Sequence, residues 1–98
     1  MNQQTTTTDN SIDSTLAERG KRYGKFMDHA YYTQTIKNVY HTSANWNKMA
    51  PDQKEALEMI AHKIGRMLSG DPHYRDNWHD IVGYAKLVDD RMKEAGLD

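Results

Sequence analysis

Two pairs of acids carry the most specific chemistry in this chain. Glu55 and Glu58 stand three residues apart, and further on Asp76 and Asp80 stand four apart. On helices, each pair sits about one turn apart. Carboxylates from facing helices supply the oxygen ligands that suit Mg²⁺ or Mn²⁺, ions that keep several waters and bridge to substrate phosphates. Such an ion can polarise a phosphoryl group or activate a water. At about 100° per residue, Glu58 falls beside Ala61 and Gly65, small residues that let a facing helix approach. His62, one turn on, shares that edge and can pair with Glu58. Asp76, Asp80, Gly83 and Leu87 line one face of the next helix. Gly83 costs about 1 kcal/mol of helix propensity relative to Ala, so close packing or ligand approach is expected there. Glu55 lies nearly opposite its own helix's apolar stripe, a position for assisting rather than for enclosure.

A plainer reading stands beside this one. With 14 Asp+Glu in 98 residues, acid pairs at helical spacing arise readily, and Glu55 and Asp76 each also suit a helix N-terminus. His62 beside Glu58 reads as an exposed ion pair as well as a ligand or base. His29, His41, His73 and His79 show no metal-binding spacing. Trp46 and Trp78 read as core or interface anchors. The basic run Arg19, Lys21, Arg22 and Lys25 around Tyr23 can hold a phosphate, with Gly20 and Gly24 permitting backbone approach. It matches neither a P-loop nor a dinucleotide fingerprint. Asp89, Asp90, Arg91, Lys93 and Glu94 read as a solvated helix end. There is no cysteine, which removes disulfides, thiolate nucleophiles and Cys-based zinc sites. No Ser–His–Asp arrangement can be assembled.

The elements that must position these residues read as helices throughout, since no stretch alternates with period two. A helix start is expected at Asp13 or Ser14, which can cap. Gly20 and Gly24 predict a bent loop over Arg19 to Lys25. A second helix is expected from about Phe26 to His41. Its apolar positions change face midway, so it is either buried on two sides or broken near Tyr31-Tyr32. The third begins at Pro51 and ends at Gly70, with Leu57, Ile60, Ala61, Ile64 and Leu68 as its core-facing stripe. The last runs from about Arg75 to Ala95 on a stripe of Trp78, Ile81, Ala85, Val88 and Met92. The fold class is therefore all-α, with three to four helices around a central antiparallel hairpin.

Bulk properties narrow the partners. Residues 1–13 are polar and low in complexity, with neither the basic nor the apolar region of a signal peptide, and are expected to form a disordered tail before a single domain over 14–98. No apolar run approaches the roughly 20 residues that span a bilayer, so a cytoplasmic protein is expected. With 13 Lys+Arg against 14 Asp+Glu, the scattered basic residues make duplex nucleic acid a poor partner. A domain this small has a modest core. Oligomerisation is expected to complete it, and six Met and six Tyr supply adaptable surface for that.

Glu18-Arg19-Gly20, Tyr23-Gly24, Lys63-Ile64-Gly65-Arg66 and the string from Asp76 to Ala85, DNWHDIVGYA, follow one another in this order. That order resembles a family of small uncharacterised bacteriophage and prophage proteins, whose most specific string reads DxWxDIxGYA, over about Ala17 to Met92. The family looks like a distant relative of the all-α nucleoside triphosphate pyrophosphohydrolases (MazG-like). In those enzymes an ExxE pair and an ExxD pair on successive helices bind Mg²⁺ while water attacks the phosphate chain. The resemblance implies that Glu55 and Glu58 match the first pair and Asp80 the final Asp. Asp76 stands in place of a Glu at a spacing of four rather than three. It further implies Glu58 and Asp80 as catalytic residues, Lys63 or Arg66 on the phosphates, NTP cleavage to NMP and pyrophosphate, and a homodimer or homotetramer. From a different class comes a second expectation: a non-catalytic phage protein that inhibits or sequesters a host factor or defence signal.

Overall fold

A computed structural model describes the backbone of residues 3–98 and the side chains of residues 11–98. Four α-helices follow one another: α1 (Gln3–Tyr23), α2 (Phe26–His41), α3 (Pro51–Ser69) and α4 (Arg75–Glu94). A 3₁₀ turn at Trp46–Lys48 precedes α3, and no strand occurs among the described residues. The all-α expectation holds. Most of the segment expected as a tail, residues 1–13, lies outside the described side chains, and the backbone is helical from Gln3.

Two sequence expectations near α1 are corrected. The helix passes through Asp13 and Ser14 without a cap and continues to Tyr23, where a bent loop was expected from Arg19. Gly20 is tolerated inside it, and Gly24 ends it at φ +79°, with its N–H on the Gly20 carbonyl at 2.9 Å. Only glycine fits there. A Cβ on Gly24 would overlap the Ser69 carbonyl, because the end of α1 presses on the end of α3. The Asp71 N–H donates to the Arg22 carbonyl at 2.8 Å, and the Ser69 hydroxyl donates to the Tyr23 carbonyl.

α3 is the middle helix, with α2 against one flank and α4 against the other. Its start combines Pro51 in the first turn with the Gln53 side chain accepting from the Ala50 N–H at 2.8 Å. Asp52 then takes both Nε and an Nη of Arg91 at 2.8 and 2.7 Å, tying the start of α3 to the end of α4. Arg91 is thus part of the hairpin clasp and not of a solvated end.

This two-sided packing redistributes the expected core. Of the stripe on α3 only Ala61 is fully buried, and Leu68 is 57 % exposed. The enclosed positions are Ala61 and Gly65, and on the other flank Ala56 and Lys63. On α4 the enclosed residue is Asn77, while Trp78 is 56 % exposed. Burial on α3 is thus split between two flanks and on α4 moved from Trp78 to Asn77, because an apolar stripe marks where burial is favourable and not which partner covers it. α2 is neither broken nor buried on two sides: it runs unbroken with only Thr33 enclosed, and Phe26, Met27, Tyr31 and Val39 face outward. Trp46 anchors the turn after α2 by stacking on Tyr40 at 5.4 Å between ring centroids, and the Tyr40 hydroxyl donates to the Leu57 carbonyl at 2.9 Å.

Candidate functional site

The acids expected to share a cation are held apart. Asp80 accepts the Lys63 ammonium at 2.8 Å, and Lys63 is itself enclosed, with 9 % of its side chain exposed. That hydrogen bond holds the Asp80 carboxyl below the usual carboxylate range, against the opposing effect of desolvation. Glu58 lies 3.7 Å from the Lys37 ammonium of α2. Along α3, Glu58 and Lys63 are about 140° apart in rotation, so the first serves the seam with α2 and the second the seam with α4. Asp76 is exposed and accepts from the Tyr74 hydroxyl at 3.1 Å, which pushes the Tyr74 pKa up. Glu55 is exposed. Among the described residues no group of three or more His, Asp or Glu side chains converges as a metal site requires. The donor set of one chain therefore does not fit a shared Mg²⁺. Of the two residues expected on phosphates, Lys63 is engaged by Asp80, whereas Arg66 is half-buried with its guanidinium 4.3 Å above the Tyr23 ring.

The small-residue expectation for the α2–α3 seam does hold. Gly65 packs against Thr33, which is 1 % exposed, and a Cβ on Gly65 would overlap the Thr33 hydroxyl and crowd the His29 ring. Around this crossing the seam is polar. Thr33 Oγ1 is 3.4 Å from His29 Nδ1, Lys37 Nζ is 3.4 Å from His62 Nε2, and the two imidazoles lie 5.5 Å apart. Both histidines are held below the ordinary imidazole pKa. Burial is the first cause for each, followed by the charge of Arg66 for His29 and of Lys37 for His62. His62 therefore meets the Lys37 ammonium, not the Glu58 carboxylate directly.

A different site emerges where the end of α1, the start of α2 and the face of α3 meet. A pocket of about 570 Å³ opens there. Arg19 and Tyr23 come from α1, Lys25 and Phe26 from the start of α2, and His62 and Arg66 from α3. His29 and Phe26 carried no spacing signal for this site, and the spacing of His62 pointed to Glu58 instead, because their neighbours here come from other helices. The pairs Lys37–Glu58 and Asp52–Arg91 escaped sequence reading for the same reason, although an Asp opening one arm of an antiparallel hairpin and an Arg closing the other was a usable hint.

Taken together, these features define a layer of three helices with lysine-neutralised acids on its seams and a cationic pocket at one end. The chain belongs to the family described as a domain of unknown function, DUF6378, whose model matches residues 7–92. Comparison with curated proteins and with solved structures finds no match.

Proposed function

We propose that this chain is a non-catalytic binding protein of phage type, working in the bacterial cytoplasm as a homo-oligomer that sequesters a host factor or a defence signal. The Lys63–Asp80 pair carries the reading. A carboxylate committed to an enclosed ammonium is a structural group: removing it leaves a buried charge without a partner. Homo-oligomer formation is supported by the outward apolar residues on α2, α3 and α4. No helix among the described residues is long and apolar enough to cross a membrane.

A second reading, a Mg²⁺-dependent MazG-like hydrolase of nucleoside triphosphates, is favoured by one observation. Glu55 and Asp76 are both exposed, so a second copy laid on these helices can bring further acids beside them. Pyrophosphate release from a panel of NTPs and dNTPs with Mg²⁺ or Mn²⁺ separates the two, read together with the melting temperatures of Asp80→Asn and Glu58→Gln. The binding reading expects no release, and a loss of about 1–2 kcal/mol in Asp80→Asn. That is below the usual cost of breaking a fully buried pair, because the Asp80 carboxylate is partly solvated. Metal-dependent release that disappears in Asp80→Asn at an unchanged melting temperature overturns it in favour of the hydrolase.

A further inference from the structure

The pocket at the junction of α1, α2 and α3 is lined by cationic and aromatic side chains without a carboxylate on its wall. Glu18, Glu58, Asp80, Asp90 and Asp52 each neutralise a Lys or Arg elsewhere, but among the described residues Arg19, Lys25 and Arg66 have no carboxylate within ion-pair distance. Three cations left unneutralised around one space make it attractive to an anion.

The backbone points the same way. α2 begins at Lys25 with no side-chain capping hydrogen bond. The Lys25 side chain caps none of the first-turn N–H groups, and the positive end of the helix dipole lies where Lys25 and Phe26 line the pocket, with Asp28 the one acid in that turn. The clasp between the ends of α1 and α3 fixes this arrangement, since Asp71 and Ser69 hold the carbonyls of Arg22 and Tyr23. Burial first, and after it the charges of Arg66 and Lys37, holds His29 and His62 below the ordinary imidazole pKa beside this pocket.

The aromatic side chains add a second requirement. Phe26 is 78 % exposed at the mouth, a large apolar ring left in water beside cations. The Arg66 guanidinium carbon sits 4.3 Å above the Tyr23 ring, and both side chains line the pocket. An anion with a flat ring attached satisfies both features. A volume of about 570 Å³ falls within the range of small-molecule sites. A long polynucleotide fits poorly, because the chain carries a net charge of −1 and its unneutralised cations do not form a track.

We propose that this pocket binds a nucleotide without a metal ion, its phosphates on Lys25, Arg66 and the first-turn N–H groups of α2 and its base against Phe26. The inference rests on the binding-protein reading and names its ligand class, at residues separate from the four acids.

Isothermal titration calorimetry of the full chain in EDTA, with ATP, AMP and inorganic pyrophosphate, tests it. Saturable, metal-free binding of ATP is expected, weakened at least tenfold by Lys25→Gln and by Arg66→Gln. Arg66 also stacks on Tyr23 and can affect folding, so Lys25→Gln, at an exposed position, decides the matter alone if the other variant fails to fold. Phe26→Ala is expected to weaken AMP and ATP about tenfold, in line with the stacking of one base, and to leave pyrophosphate unchanged. No binding in EDTA, or an affinity unmoved by Lys25→Gln, overturns the proposal. So does equal competition by sulfate at matched ionic strength, or a single-stranded oligonucleotide binding more tightly than the mononucleotide. Binding that requires Mg²⁺ and is lost in Asp80→Asn assigns the nucleotide to the acids instead. Pyrophosphate release in the same samples reports on catalysis separately, so failure of the pocket and failure of the non-catalytic reading give different results.

Discussion

Lys37, Lys63, His29 and His62 decide what the acids of this chain do. Lys63 draws Asp80 into the α3–α4 seam, and Lys37 stands between Glu58 and His62 on the α2–α3 seam. The imidazoles have a consequence for stability. Both have folded-state pKa values below the ordinary one, so below about pH 6.5 the unfolded chain binds protons that the folded chain refuses. Stability then falls as pH drops through that value and on through the folded-state pKa values. Denaturant midpoints between pH 8 and pH 5 are expected to decline, and His29→Gln/His62→Gln to flatten the decline. A midpoint that stays level in the native chain across this range contradicts the assignment. At still lower pH Asp52 adds to the loss, since its carboxyl is held down chiefly by the Arg91 hydrogen bonds and must be protonated to release them.

At the scale of elements, two glycines inside helices have opposite meanings. Gly65 exists for the approach of α2, because the Thr33 hydroxyl occupies the place of its missing Cβ. Gly65→Ala is expected to cost about 1–3 kcal/mol by overpacking. Combining it with Thr33→Ala should recover part of that loss, a coupling that a double-mutant cycle of melting temperatures measures. Around Gly83 a Cβ meets nothing within 4 Å in the single chain. Gly83→Ala should therefore raise stability by about 1 kcal/mol through helix propensity alone. A loss instead means that this face of α4 is covered in the assembly. The expectation of close approach at Gly83, made from its cost in a helix, is not met within one chain. Propensity flags an expense without telling whether packing is its cause.

The whole molecule exposes more than a folded monomer should. Its accessible surface is 7524 Å², against about 5,800 Å² for a compact chain of this mass. Its radius of gyration is 17.6 Å, against about 13 Å for a compact domain of this length. Part of the excess belongs to α1, which meets the other helices near its C-terminal end. The rest is apolar. Among the described residues only Ala56 and Ala61 are buried apolar side chains, while Leu68, Trp78, Val82 and Val39 stand more than half exposed. An open groove of about 360 Å³ between α3 and α4, lined by Met49, Leu57, Ile60, Val88 and Met92, continues this surface. Light scattering on the eluting protein is expected to give a multiple of 11.4 kDa. Leu68→Glu with Val82→Glu should yield a monomer with a less cooperative melt. A native monomer that melts sharply contradicts self-association.

Local structure follows from the order of residues along each segment. Pro51, Gly70 and the apolar periodicity marked α3, the span of α2 was right to the residue, and the absence of alternating segments excluded a sheet; each is a short-range property of neighbouring residues. The sequence also singled out the polar residues that lie near the seams, with Gly65 beside them. What it left open was which side chains meet. Lys37 pairs with Glu58 and Asp52 with Arg91 across helices, and Arg19, Lys25, Phe26 and Arg66 line one pocket from three helices; no spacing along one helix encodes the rotation at which two helices face each other. Tertiary packing set that rotation. In doing so it made Glu58 and Asp80 partners of lysines, left Glu55 and Asp76 on the surface, and left the free positive charge at the junction of α1, α2 and α3.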